Sequence, residues 1–238
     1  MCGFDRRTSV VAALAQLEAR VVALGGESIS VTAACQRVLC RDVVAGCAVP
    51  HFRRAMMDGY AVIAESTFGA TESAPIALRV IGEVRAGESA AQLTIEAGQA
   101  VAITTGAPMP SGADAVLMVE LSERPDDTTV LVCGAVSPGK HVGPIGEDVP
   151  LGATVLSKGR LLRPQDAGII ASIGVGQIEV VRRPRVDIVI TGNELLAPGS
   201  VPTDSSIVDS NSVVLSALVE RDGGQPRVVR IVDGAPEL

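Results

Sequence analysis

Five short stretches of this sequence carry side chains suited to chemistry on charged substrates. Arg53-Arg54-Ala55-Met56-Met57-Asp58-Gly59-Tyr60 sets a carboxylate near two guanidinium groups and the chain's only tyrosine. An Asp-Gly step between apolar residues is a strong signal for a type I′ hairpin. Taken alone, the hairpin turn is a stronger reading than Asp58 as a functional acid, and a solvated turn with a surface Arg–Asp ion pair fits the same residues equally. Ile103-Thr104-Thr105-Gly106-Ala107 follows a predicted strand, and its N–H groups can approach a phosphate or an oxyanion. No Gly-Lys-Ser/Thr follows, so it is a poor P-loop and a structural turn is the stronger independent reading. Gly146-Glu147-Asp148 offers hard oxygens to Mg²⁺, or is simply a solvated acidic turn. Thr191-Gly192-Asn193-Glu194 ends an apolar run at 186–190, where open α/β sheets bind ligands beyond the carboxyl ends of their strands. Asp209-Ser210-Asn211 opens the next helix; its N–H groups favour an anion or a metal-bound phosphate, with a plain N-cap as the alternative.

These stretches need elements to position them. Val10, Leu14, Leu17, Val21 and Leu24 recur at helical spacing, which predicts an amphipathic helix capped by Thr8 or Ser9 and closed by Gly25-Gly26. A second short helix is expected at 32–39, followed by extended chain at 40–44. Short β-like runs at 60–63, 77–83, 99–104, 115–120 and 128–132 alternate with turn-prone clusters at 111–114 and 124–127, with a surface loop at 66–74. They predict a compact β domain, a small barrel or sandwich. Glycine turns then lead to a helix at 165–173 and a strand at 177–181. After Arg182-Arg183-Pro184 come a strand at 186–190, a helix carrying Val214, Leu215, Leu218 and Val219 and stopped by Gly223-Gly224, and a strand at 227–232. That order is a βαβ unit. Alone it leaves an open edge and half-covered apolar faces, so a continuing chain or a partner is expected to complete it.

Composition limits the partners. A formal charge of -7 and a pI near 4.9 argue against a nucleic-acid binder, which needs a basic face. An anionic substrate would then need a metal ion or a backbone amide cradle. With 47% hydrophobic residues but 2% aromatics, the core must come from Val, Leu, Ile and Ala. Five cysteines without a CxxC pair, and His51 and His141 without metal spacing, indicate neither zinc nor a redox motif. The absence of a signal-peptide core or an apolar run of spanning length gives the expectation of a soluble cytoplasmic protein with no membrane partner.

In order, "VPHFRRAMMDGYAV", "VAITTGAPMPSGADAVLMVE", the stretch from "GEDVPLG" to "TGNEL", and "DSNSVVLSALVERDGG" resemble the molybdopterin molybdenumtransferase family, which includes the C-terminal part of gephyrin. The resemblance implies an α/β-plus-β chain: a helix at 6–26 packed on the α/β domain, a segmented linker domain at 27–48 and 145–182, an inserted small β-barrel or sandwich domain at 49–144, and an α/β domain starting at 183 that resembles molybdopterin adenylyltransferase. It implies Mg²⁺-dependent transfer of molybdenum from molybdate into adenylylated molybdopterin, with release of AMP. A homodimer with its cleft between subunits and an upstream molybdopterin adenylyltransferase follow as partners. By the same resemblance Asp58, Thr105, Asp148 and Glu194 are catalytic. Thr105, Gly106, Thr191, Gly192, Ser210 and Asn211 contact the substrate, Glu194 and Asp209 hold the metal, and Met56, Met57 and Tyr60 pack behind Asp58. Two departures stand out. Arg53-Arg54-Ala55-Met56-Met57 replaces the usual Asn-Ser or Arg-Ser pair before the Asp-Gly step, and Asn193 stands where Asp is common. The family's α/β domain and terminal barrel extend further than this sequence, so a longer natural chain is expected, and 238 residues alone are expected to be inactive. A non-catalytic scaffold of the same fold is the alternative.

Overall fold

The computed structural model describes residues 8–203 and 205–231. Among these residues the chain divides into two compact units, one formed by 42–156 and 168–175, the other by 8–41, 157–167 and 176–231.

The first is built on a six-stranded sheet in the order Ala115–Met118, Gly59–Val62, Gln99–Ile103, Ile76–Val84, Thr129–Val132, Ser122–Glu123. Every neighbouring pair is antiparallel except Ile76–Val84 with Gln99–Ile103. Successive side chains of a strand point to opposite faces, and here both faces are covered. Tyr60, Val62, Leu117 and Val130 enter one buried cluster, while Ala61, Val101, Ile103 and Val116 enter another. Double-sided burial explains why these strands read as continuous apolar runs. Each fully buried Leu or Val contributes about 1.5–3 kcal/mol relative to exposure.

The Asp58-Gly59 hairpin expected from sequence does not form. Asp58 does not adopt the positive φ that a type I′ turn requires, and the chain on either side pairs elsewhere. Arg54–Ala55 pairs with Val142–Gly143, whereas Gly59–Val62 lies between Gln99–Ile103 and Ala115–Met118. Gly59 is needed for a different reason. At φ 151° its Cβ would sit 2.0 Å from the Leu117 carbonyl oxygen, so a side chain would push the two strands apart. The expected loop at 66–74 starts as a 3₁₀ turn, Ala64–Thr67, and buries Thr67 and Ala70.

In the other unit Gly26–Ser30 pairs antiparallel with Gln177–Val181. Arg185–Thr191 pairs parallel with Gln225–Ile231, and the chain passes from one to the other through a helix at Asn211–Arg221 (the α/β helix below). This is the expected βαβ order. A second parallel pair, Leu195–Leu196 with Ile207–Val208, lies between the first strand and the helix in sequence. The N-terminal helix covers Val10–Glu18, with the Ser9 hydroxyl accepting the Ala12 N–H at 3.2 Å. It ends at Glu18, well before Gly25-Gly26, where Gly26 already opens a strand, and none of its residues is buried. The helix expected at 32–39 is only a 3₁₀ turn, Val31–Ala33. A helix at Pro164–Ser172 begins where Asp166, itself buried, accepts the Arg163 N–H at 2.9 Å and pairs with the Arg160 and Arg163 guanidinium groups. The expected start at residue 6 and end at Val232 lie outside the described residues.

Candidate functional site

Asp58 follows the Arg54–Ala55 strand and immediately precedes the Gly59–Val62 strand. Its carboxylate is exposed and points at the loop after Gln99–Ile103. The Thr105 N–H donates to Asp58 Oδ1 at 2.6 Å and the Thr105 hydroxyl donates to the same oxygen at 2.9 Å. These bonds, the backbone one first, hold the Asp58 carboxyl below its ordinary pKa, so it is anionic at neutral pH. The loop is itself anchored, since the Gly106 N–H donates to Ala55 O at 2.8 Å and the Ala55 N–H to Ala107 O at 2.9 Å. Asp58 and Thr105 are thus brought together. The amide cradle suggested for Thr105-Gly106 gives its Thr105 N–H to a carboxylate of the chain itself.

Asp148 belongs to the same unit. The Gly146-Glu147-Asp148 turn is tied to residues 49–50 by the Gly146 N–H donating to Pro50 O and the Asp148 N–H to Val49 O. One cation serves both acids: Arg54 Nη2 lies 3.2 Å from Glu147 Oε2 and 3.9 Å from Asp148 Oδ2. The surface ion pair weighed for Asp58 is therefore made by Arg54 with this turn instead. Tyr60 is buried, in the cluster with Val62 and Leu117. Met56 is 46% exposed and does not pack behind Asp58, whose direction comes from Thr105.

The remaining candidates lie in the α/β segment. Thr191 is the last residue of its strand, and Gly192 turns the chain so closely over Glu194 that a Cβ there would meet Glu194 Oε1 at 2.7 Å. The Glu194 carboxylate is exposed and makes no ion pair among the described residues, while its backbone carbonyl accepts the Ile207 N–H. Asp209 is spent differently. Its side chain is 1% exposed; Oδ1 accepts the Ser212 N–H at 2.9 Å and Oδ2 accepts Arg230 Nη2 at 3.1 Å. The Ser212 N–H is the main reason its pKa is lowered, with the Arg230 charge a further cause. A carboxylate with both oxygens engaged and buried is an N-cap and counter-ion, not an open metal ligand. Ser210 and Asn211 stand exposed at the start of the same helix. Among the described residues no three His, Cys, Asp or Glu side chains converge to hold a metal ion.

The family described as MoeA N-terminal region (domain I and II) matches residues 8–174, most of this chain. The chain belongs to the MoeA family. A relative from Mycobacterium tuberculosis, "Molybdopterin molybdenumtransferase 2", is 41% identical over 197 residues, covering 83% of this chain and 48% of the relative. A "Putative molybdopterin biosynthesis protein" from Methanocaldococcus jannaschii is 36% identical over 214 residues, covering 87% of this chain and 51% of its own. Two solved structures of molybdopterin biosynthesis MoeA proteins from Pyrococcus horikoshii superpose with TM-scores of 0.85 and 0.79 at 32% and 39% identity. They cover 96% and 88% of this chain and 58% and 55% of their own. The chain thus spans about half the length of the curated relatives it matches. The fold is MoeA-like, and no helix among the described residues is long and apolar enough to cross a membrane.

Within this MoeA-like chain, sequence reasoning missed Arg54 as the partner of Glu147 and Asp148. The available signal was its alternation with Ala55, a buried residue: a strand that buries Ala55 turns Arg54 to the other side, toward Gly143 and the acidic turn. Glycine at 143 gives that guanidinium room, since a Cβ there would meet Arg54 Cγ at 3.1 Å and Glu147 Oε2 at 2.9 Å.

Proposed function

We propose that this chain is part of a molybdopterin molybdenumtransferase, which moves molybdenum from molybdate into adenylylated molybdopterin and releases AMP. The observation that carries the reading is the 41% identity to a relative of that name over most of this chain. The joined Asp58 and Thr105 supply a matching chemistry. Asp58, kept anionic by two donors on one oxygen, leaves its second oxygen open to a cation or a proton. Its roles are to orient a substrate hydroxyl or phosphoryl group and to repel misplaced anions, and Thr105 fixes its angle. Arg54 keeps Asp148 at a set height beside the same strand and offsets part of the charge that two anionic substrates would meet.

Bound Mg²⁺ would screen the pyrophosphate and polarise the phosphoryl group undergoing cleavage. Glu194 fits the demand for a hard, accessible oxygen. Asp209 does not fit as a direct ligand and serves by fixing the helix start, where it takes the Ser212 and Asn211 N–H groups and leaves the exposed Ser210 and Asn211 side chains to meet the substrate. Thr191, Gly192 and Gly106 form the backbone approaches to the substrate. In this reading the protein is a cytoplasmic homodimer whose cleft lies between subunits, fed by a molybdopterin adenylyltransferase. The inserted β domain spans 49–144, flanked by the linker segments at 27–48 and 145–182, with the α/β domain from 183. Incubation of the full-length gene product with adenylylated molybdopterin, Mg²⁺ and molybdate, followed by chromatography of nucleotides, tests it. Molybdate-dependent AMP release is expected. A folded protein that releases none is a scaffold, not this enzyme.

A further inference from the structure

We infer that the connection 182–185 forms a binding site for a phosphate-bearing small molecule, separate from the acidic residues discussed above. A recess of about 520 Å³ is lined by Arg182, Arg183, Arg185, Gln225, Glu27 and Leu24. Its volume lies in the range of small-molecule sites. It adjoins a second recess that shares Arg185 and Gln225 and includes Asp187 and Arg227.

The charge balance of this surface is what singles it out. Among the described residues, Arg37, Arg41, Arg54, Arg85, Arg160, Arg163, Arg221, Arg227 and Arg230 each stand against a carboxylate. Arg182, Arg183 and Arg185 make no ion pair among the described residues. Both carboxylates bordering them are already matched by other cations. Glu27 pairs with Arg37, and Asp187 takes both arms of Arg227 at 2.7 and 2.6 Å. Three guanidinium groups therefore line one hollow without a close ion pair of their own, the Arg185 charge reaching Asp187 only at longer range.

Their backbone is fixed before any ligand arrives. The Arg182 N–H donates to Gly25 O at 3.0 Å, and the Gln225 N–H donates to Pro184 O at 2.8 Å. Pro184 locks its own φ and holds Arg183 extended. Gly25 lets the Arg182 side chain lie flat against the chain, because a Cβ there would meet its Nη2 at 3.0 Å. Planar guanidinium forks on a rigid frame match phosphate oxygens two at a time. The hollow is larger than one tetrahedral oxyanion, and Leu24 gives it an apolar wall. A diphosphate, or a phosphate ester with a small organic body, fills it better than a single phosphate. The site sits at the starts of the parallel strands Arg185–Thr191 and Gln225–Ile231, the ends opposite Thr191 and Glu194.

The test is calorimetric titration of the purified protein with inorganic pyrophosphate in chelator-treated, low-salt buffer, alongside Arg183→Gln/Arg185→Gln and Asp58→Asn variants. Saturable binding is expected, weakened at least tenfold by the double variant and by raised salt, and unchanged by Asp58→Asn. Far-ultraviolet circular dichroism checks that the double variant keeps its fold; Arg182→Gln provides a second reading at an exposed position. No saturable binding, or binding unaffected by both arginine variants, overturns the inference. An affinity lost on Asp58→Asn but kept in the arginine variants moves the anion to the other site and overturns it equally. None of these outcomes depends on molybdenum transfer.

Discussion

Asp58 and Asp209 each accept a backbone N–H and each has a lowered pKa, yet they stand in opposite settings. Asp58 lies exposed at the edge of a unit whose central sheet is buried on both faces. Asp209 is buried in a unit whose helices still show apolar side chains to solvent, among them Leu14, Leu17, Val214 and Leu215. One unit supplies its own rigidity and can leave a carboxylate free for chemistry. The other uses a carboxylate to hold a helix in place. Availability of an acid therefore follows from its own contacts, and not from the motif letter: Glu194, in the same unit as Asp209, is exposed and makes no ion pair among the described residues.

Breaking the packed unit should give the largest effects. Gly59→Ala places a methyl group against the Leu117 carbonyl, and Leu117→Ala opens a cavity at a fully buried position. Each is expected to cost about 2–5 kcal/mol in urea denaturation. Leu215→Ala, at a residue 44% exposed, should cost less than about 0.5 kcal/mol. Equal losses at Leu117 and Leu215 would erase the contrast between the units.

An intermediate effect is expected from acid. Asp166 and Asp209 have folded pKa values below the ordinary carboxyl, Asp166 through the Arg160 and Arg163 hydrogen bonds and Asp209 through Ser212. A depressed folded value means that the protein gains stability while the carboxylate is charged. That gain is complete above the unfolded value of about 4 and is lost as pH falls through the folded values. Urea midpoints should hold steady above this range and drop below it, and the drop should be shallower in Asp166→Asn and Asp209→Asn. An unchanged slope in both would mean that these carboxylates do not hold their helix starts. Thr105→Val should have the smallest effect on stability, because its N–H still reaches Asp58. It should raise the Asp58 pKa, measurable by carboxyl NMR titration, and an unmoved value would remove the hydroxyl from the account.

Much of this arrangement was legible in the sequence. The strands around 60, 101, 116 and 130 announced themselves because β-branched and small apolar residues fill both faces of a covered sheet. The βαβ order was equally plain from an apolar run, a helical stripe and the Gly223-Gly224 stop. What failed were readings that depend on partners distant in the chain. Asp58-Gly59 looked like a hairpin because the local signal is strong, but the preceding strand finds Val142–Gly143 some ninety positions away. Gly25-Gly26 looked like a helix end, whereas Gly26 pairs with Val181 and would crowd Cys40 Sγ if it carried a Cβ. The candidate acids were visible as a set, but their division into an exposed pair, a turn tied to Arg54 and a buried cap was not. Which oxygen is left open depends on tertiary contacts.

The most direct measurement is molybdate-dependent AMP release by the Asp58→Asn form of the full-length gene product, with its urea midpoint measured in parallel. A fall on the order of 100-fold with the midpoint unchanged is expected if the carboxylate is held for chemistry. Full activity in the variant, or a loss of activity matched by a loss of stability, would contradict the account.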